Sequence, residues 1–205
     1  MWPTRTLVSL TLVAFLSIAV VTLACVHLVP SLAAQQAQGV QPQERPSPPG
    51  SAEMRLNSQK IDLTYGRPSM RGRKIFGGLI PYGQVWRTGA NEATSFVTEA
   101  NILIGGARVP AGAYTLYTLP QESGWKLIIN KQPGQWGTTY NPSQDLARVD
   151  MQVEHLTAPV EQFTMTLSQR SQDAGVLRME WEHTGVWVDV ADYDIRLESS
   201  CNAIS

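Results

Sequence analysis

Apolar and polar residues alternate along most of the chain after about residue 54. The stretch "RVDMQVEH" places Val149, Met151 and Val153 on one face and polar residues on the other. The stretches "KIDLTYG", "QFTMTLS" and "VLRMEWEH" have the same period of two, which is the period of a strand with one buried face. Gly, Pro and Asn separate these stretches, and no window keeps a helical period for more than a few turns.

This pattern predicts an all-β domain over residues 54–192. We expect an antiparallel β-sandwich of about eight or nine strands, with a partly closed barrel as the alternative. Gly105 and Gly106 predict a tight hairpin, and "HTG" at 183–185 predicts a turn before the last strand. "NPSQDLA" predicts a single helical turn, with Ser143 as its cap.

Residues 1–33 predict an export signal or an N-terminal anchor. Arg5 precedes a stretch, 7–32, that contains no Asp, Glu, Lys or Arg, and small side chains stand at Ser31 and Ala33, the two positions that a signal peptidase tests. The apolar stretch exceeds the usual signal core of about 7 to 15 residues and is long enough to span a bilayer, so an uncleaved anchor is an alternative. Lipidation of Cys25 is another. We therefore expect a periplasmic or extracellular protein that contacts the membrane only through this segment, if uncleaved.

Composition divides the rest of the chain. Residues 34–53 are rich in Gln, Pro and Ser, which predicts a flexible tether, and residues 193–205 are expected to be a C-terminal tail. After export, Cys201 would be the remaining cysteine, so no disulfide is expected within the chain. The net charge is −1 and basic residues gather only in "RGRK". This balance argues against nucleic acid as a partner and says nothing about oligomeric state.

The stretch "VWRTGANEAT" at 85–94 is the densest group of chemically active side chains. It ends a segment with six glycines between 66 and 89, but no helix is predicted after it, so a phosphate-binding loop of the usual kind is not expected. Guanidinium groups suit carboxylates and phosphates, and aromatic rings with polar neighbours suit sugars. We predict a ligand site made from the loops at 65–92 and 134–141, with these residues: Tyr65, Arg67, Arg73, Trp86, Arg87, Asn91, Glu92, Asn130, Trp136 and Tyr140.

Longer motifs resemble one family. "YGRPSMRGRKIFGGLIPYGQVWRTGANEAT", "IGGARVPAGAYTLYTLP", "WKLIINK" and "GQWGTTYNPSQDLARV" are similar to motifs of the DUF2911 family of exported bacterial proteins of unknown function. The resemblance covers most of residues 54–191. It implies a compact β-sandwich-like domain behind a signal peptide, and it supplies no reaction, cofactor or catalytic residue.

The sequence leaves three functions open. The first is an exported domain that binds a small polar ligand, such as a carbohydrate or a carboxylate or other anion. The second is a metal-independent hydrolase or lyase with Glu92 as acid/base and Arg87 as its electrostatic partner. The third is a structural envelope protein without a ligand site, in which Arg87 pairs with Glu92 and Trp86 enters the core. No metal or cofactor is expected, because His155 and His183 lack metal-ligand spacing and read as surface residues.

Overall fold

The computed structural model describes residues 47–193, which form a β-domain with nine strands. The strands are β1 (Pro49–Leu56), β2 (Gln59–Gly66), β3 (Thr94–Thr98), β4 (Ile102–Ile104), β5 (Ala107–Val109), β6 (Gly112–Gln121), β7 (Gly124–Asn130), β8 (Asp145–Gln169) and β9 (Ala174–Asp192). One 3₁₀ turn, Pro142–Gln144, precedes β8 within this range. The predicted N-terminal signal, most of the predicted tether and the C-terminal tail lie outside the described residues.

All strand pairs are antiparallel, and the order of neighbours is β1-β2-β3-β6-β7-β8-β9-β4-β5. The prediction of an all-β antiparallel fold is confirmed. Within the described part of the chain, no ladder joins the edge strands β1 and β5. The sheet is therefore not closed into a barrel.

The sheet folds over itself because its two longest strands bend. β8 pairs with β7 as far as Met151 and with β9 from Gln152 onward. Its register with β9 shifts twice, between 155 and 164, and the second half of β8 then reaches the end of β2. There the amide N–H of Phe163 donates to the carbonyl of Pro68 at 2.9 Å. The two halves of the sheet enclose the main apolar core, and a smaller apolar cluster includes Tyr117 and Ile128.

The core confirms most of the predicted strand faces. Leu177, Met179 and Trp181 are buried, as the alternation predicts. Val153 is 44% exposed, so its predicted burial is wrong, because β8 has already left β7 at that point. The largest fully buried side chains include Trp181, Tyr117, Phe96, Phe163, Leu56, Ile61, Leu63, Ile75, Ile102, Ile104, Leu116 and Leu127.

Three local predictions have different outcomes. The hairpin at Gly105 and Gly106 is confirmed, with φ of 54° and 85°. The turn at 183–185 is wrong: β9 continues through it, and the left-handed φ of 56° at Glu182 accompanies the register shift instead. Asn141 rather than Ser143 caps the 3₁₀ turn, since its side chain accepts a hydrogen bond from the amide of Ser143 at 3.1 Å.

β1 begins at Pro49, ahead of the domain start that composition indicates at 54. It pairs with β2 without interruption, from Pro49 opposite Gly66 to Leu56 opposite Gln59. Backbone hydrogen bonds to β2 form this strand, and Met54 and Leu56 are its buried apolar side chains. Apolar alternation therefore does not reveal its first residues. In residues 47–193, no helix has the length and apolar character needed to cross a bilayer.

Candidate functional site

The long loop between β2 and β3, residues 67–93, lies at the end of the domain where both candidate pockets are found. Its glycines permit a close approach of two backbones. A Cβ on Gly66 would lie 2.0 Å from the carbonyl oxygen of Ala90, and one on Gly89 would lie 2.9 Å from the carbonyl oxygen of Gly66. The end of the loop therefore packs directly against the end of β2, and this contact brings 86–93 into the site.

The loop at 131–144 meets the same region through the backbone. Glu92 and Trp136 form an isolated antiparallel bridge, and the amide of Ala93 donates to the carbonyl of Gln135 at 3.2 Å. The prediction that the two loops come together therefore agrees with the fold. What the loops enclose is two separate pockets.

The first pocket has a volume of about 390 Å³ and lies between the ends of β1 and β2, the start of β3 and the 131–144 loop. Glu92 is the one charged residue among the described residues that line it. The lining consists of Ser47, Pro49, Thr64, Tyr65, Gly66, Asn91, Glu92, Ala93, Ser95, Gly134 and Gln135.

The second pocket, called the arginine pocket below, also measures about 390 Å³. Three arginines line it, and none of its described lining residues is acidic. Its apolar part comes from the 79–90 stretch and Trp181 in β9. The full lining is Ser47, Pro68, Ser69, Arg71, Arg73, Leu79, Ile80, Trp86, Arg87, Gly89, Ala90 and Trp181.

Six of the ten predicted site residues line one of the two pockets, and Arg67, Asn130, Trp136 and Tyr140 line neither. Tyr65, Asn91 and Glu92 line the first, whereas Arg73, Trp86 and Arg87 line the arginine pocket. Glu92 and Arg87, which were predicted to act together, thus line different pockets.

Tyr65 and Arg67 bond to the second half of β8. The buried hydroxyl of Tyr65 donates to the carbonyl of Met165 at 3.2 Å and accepts from the amide of Met165 at 2.8 Å. Arg67 donates from Nε to the carbonyl of Phe163 at 3.3 Å and from Nη2 to the hydroxyl of Thr164 at 3.2 Å. These bonds hold the two layers together at the end of β2.

Asn130 and Tyr140 fix the base of the 131–144 loop. Asn130 is fully buried, and its side-chain amide donates to the carbonyl of Asn141 at 3.0 Å and to Asp145 at 2.9 Å. The Tyr140 hydroxyl lies 2.7 Å from both Asp145 and Arg148. Burial, followed by the bond to Asp145, raises the pKa of Tyr140 to about 12. Both side chains are engaged in bonds that hold the loop.

The two predicted stacking tryptophans point in different directions. Trp136 is 58% exposed and lines neither pocket. Trp86 is half-buried and packs on Trp181, with ring centroids 5.8 Å apart and planes at 21°. It also contacts Phe163 edge-on at 5.0 Å. Trp86 thus joins the aromatic core to the wall of the arginine pocket.

Arg87 and Arg73 are held in different ways. The Nε atom of Arg87 is buried and has no hydrogen-bond partner within residues 47–193. Its side chain lies against Gly137, where a Cβ would come within 2.0 Å of Arg87 Cδ. The exposed Arg73 donates from Nε to the carbonyl of Met70 at 2.9 Å and from Nη2 to that of Ser69 at 2.8 Å. Because these acceptors are neutral, they leave its charge uncompensated.

Sequence reasoning missed Ser47, Leu79 and Trp181. Ser47 borders both pockets, and its carbonyl accepts a bond from the side chain of Asn91 at 3.1 Å. It stands in a segment whose composition indicates a tether. Leu79 follows a pair of glycines and Trp181 follows the strand alternation, so only the folded chain places them beside arginines.

The histidines lie away from both pockets. His155 and His183 stack at 5.2 Å with planes 16° apart, and Nδ1 of His183 is 2.9 Å from the carbonyl of Leu156. Among residues 47–193, no three His, Cys, Asp or Glu side chains are grouped closely enough to hold a metal ion.

These features define a small antiparallel β-domain with two pockets under its long loops, one of them rich in arginine. The chain belongs to the DUF2911 family, whose model matches residues 47–190. The description of that family is "protein of unknown function". No curated protein and no solved structure gives a significant match to the chain.

Proposed function

We propose that this protein is an exported domain that binds a small organic or inorganic anion in the arginine pocket. The supporting observation is the lining of that pocket: it includes Arg73 and Arg87, and no acidic residue is among its described lining. Planar guanidinium groups recognise carboxylate and phosphate through paired N–H donors. A pocket of this size, with apolar walls and a few polar groups, is typical of small-molecule sites.

Arg87 gives the strongest support. Buried donors are nearly always paired, and leaving one unpaired costs about 1 to 3 kcal/mol. Nε is the one side-chain nitrogen of Arg87 that is both buried and unpaired within the described residues, and Gly137 lies against it. A carboxylate in the pocket would therefore bind the terminal Nη groups and give the guanidinium a partner there. Arg73 would add a second positive charge, because the contacts of its guanidinium are to backbone carbonyls.

The other two functions have less support. An acid/base role for Glu92 with Arg87 needs both side chains at one reacting group, and they line different pockets. A purely structural role explains Tyr65, Asn130 and Tyr140, but it does not explain why Arg73 and Arg87 line one pocket without an acidic residue among its described lining.

Isothermal titration calorimetry of the full chain at low ionic strength tests the proposal. Benzoate and inorganic phosphate are the anionic probes, and glucose and maltose are the neutral ones. We expect saturable binding of at least one anion, weakened about tenfold or more by Arg87→Gln or Arg73→Gln, as the loss of a charged hydrogen bond predicts. The control is Arg55→Gln, because exposed Arg55 bonds the carbonyl of Ser58, away from the pockets.

Three results would overturn the proposal: no heat with either anion, equal binding by all three variants, or binding of the sugars alone. Unfolding transitions of the variants, measured by circular dichroism, separate a lost donor from a lost fold.

A further inference from the structure

The apolar side chains of the arginine pocket restrict the class of ligand further than its arginines do. Leu79 is 48% exposed, among the most exposed large apolar side chains in the described residues. It lines the pocket together with Ile80 and Trp86. Apolar surface and cationic donors in one pocket suit a ligand that has an apolar body and an anionic group.

The indole groups in the pocket have no remaining hydrogen-bond donors to offer. Trp86 Nε1 donates to the carbonyl of Gly89 at 3.1 Å, and Trp181 Nε1 donates to that of Glu161 at 3.2 Å. Trp181 is almost fully buried behind the half-buried Trp86. The exposed part of the Trp86 ring therefore presents carbon surface to a ligand, and Trp181 keeps that ring in place.

Neutral polar side chains are scarce in this pocket. Ser47 and Ser69 supply the hydroxyls, and no Asn, Gln, Asp or Glu is among the described lining residues. A sugar needs several acceptors and donors to replace the water bound to its hydroxyls, since unpaired polar groups are costly to bury. A fully hydrated inorganic anion would leave the apolar wall exposed to water.

We infer that the arginine pocket selects a carboxylate joined to a flat apolar body, that is, an aryl carboxylate. This inference depends on the proposed anion binding. The carboxylate accepts hydrogen bonds from Arg87 and Arg73, and the ring lies between Trp86 and Leu79. Burial of the ring adds affinity that acetate and phosphate do not obtain.

The test is a titration series on the full chain: acetate, benzoate and 2-naphthoate, with benzamide as the uncharged analogue of benzoate. We expect affinity to rise about tenfold or more from acetate to benzoate and again to 2-naphthoate, as burial of about 50 to 100 Å² of apolar surface at each step predicts. Benzamide should bind at least tenfold more weakly than benzoate, because it lacks the charge.

Leu79→Ser is the discriminating variant, since its exposed side chain contributes little to folding. It should weaken 2-naphthoate about fivefold or more and change acetate less than twofold. Val97→Ser is the matched control, because Val97 is 42% exposed and lines neither pocket. Equal affinity for acetate and 2-naphthoate, or no effect of Leu79→Ser, would overturn the inference while leaving anion binding intact. If no anion binds, the proposed function itself fails.

Discussion

Removal of one oxygen atom, in Tyr65→Phe, tests how the two layers of the sheet are joined. The hydroxyl of Tyr65 bonds both the amide and the carbonyl of Met165, and Met165 is only 2% exposed. Water cannot readily replace the lost partner, so two buried backbone groups remain unsatisfied. At about 1 to 2 kcal/mol for each group, we expect a loss of about 2 to 4 kcal/mol in the free energy of unfolding.

Chemical denaturation followed by tryptophan fluorescence measures this loss, and thermal melting should show a decrease of about 6 to 12 °C. Tyr82→Phe is the matched control: Tyr82 is 39% exposed, and its change should stay below about 0.5 kcal/mol. A Tyr65→Phe variant as stable as the native chain would refute the reasoning. If that variant had also lost ligand affinity, Tyr65 would be a ligand contact rather than a link between the two halves of the sheet.

Two further predictions concern backbone contact and pH. Gly66→Ala should prevent or severely impair folding, because its Cβ would lie 2.0 Å from the carbonyl of Ala90. Gly72→Ala has open space around it but a left-handed φ of 71°, so it should cost only about 1 to 2 kcal/mol; expression and circular dichroism compare the two variants. The raised pKa of Tyr140, about 12 against 10, means that the folded state favours the neutral phenol. Its contribution to stability is full below pH 10 and lost as the pH rises to about 12. An ultraviolet titration should therefore contain late phenolate transitions, of which Tyr140→Phe removes one, whereas those of Tyr114 and Tyr117, whose pKa values burial also raises, remain.

The strand faces were predictable because successive side chains of a strand point to opposite faces, so the apolar positions show which face is buried. In β6, Tyr114 and Leu116 enter the main core, whereas Tyr117 is buried on the opposite face with Ile128, as the spacing indicates. The misassignments at Val153 and at 183–185 share one cause. Val153 follows the point where β8 passes from β7 to β9, and residues 183–185 lie beside the first register shift between β8 and β9. Both features depend on partner strands distant in sequence.

The meeting of the 67–93 and 131–144 loops was predictable from the sequence. Their division into two separate pockets was not. Composition indicates which residues can bind a ligand, whereas neighbours decide which ones face it. Asn130 is fully buried and bonded to Asp145, whereas Trp136 is exposed. Trp181 lines the arginine pocket beside Trp86, on which it packs, a contact between residues far apart in sequence.

The most direct test of the central claim is an NMR titration of the side-chain Nε–H signals of the arginines in ¹⁵N-labelled protein with benzoate. The Arg87 signal is identified by its absence from Arg87→Lys. We expect that signal to move saturably, with the same dissociation constant as calorimetry gives, because a carboxylate bound at the Nη groups of Arg87 changes the electronic environment of the whole guanidinium. If benzoate binds while the Arg87 signal stays in place, or if benzoate moves no signal at saturating concentration, anion binding at this pocket is contradicted.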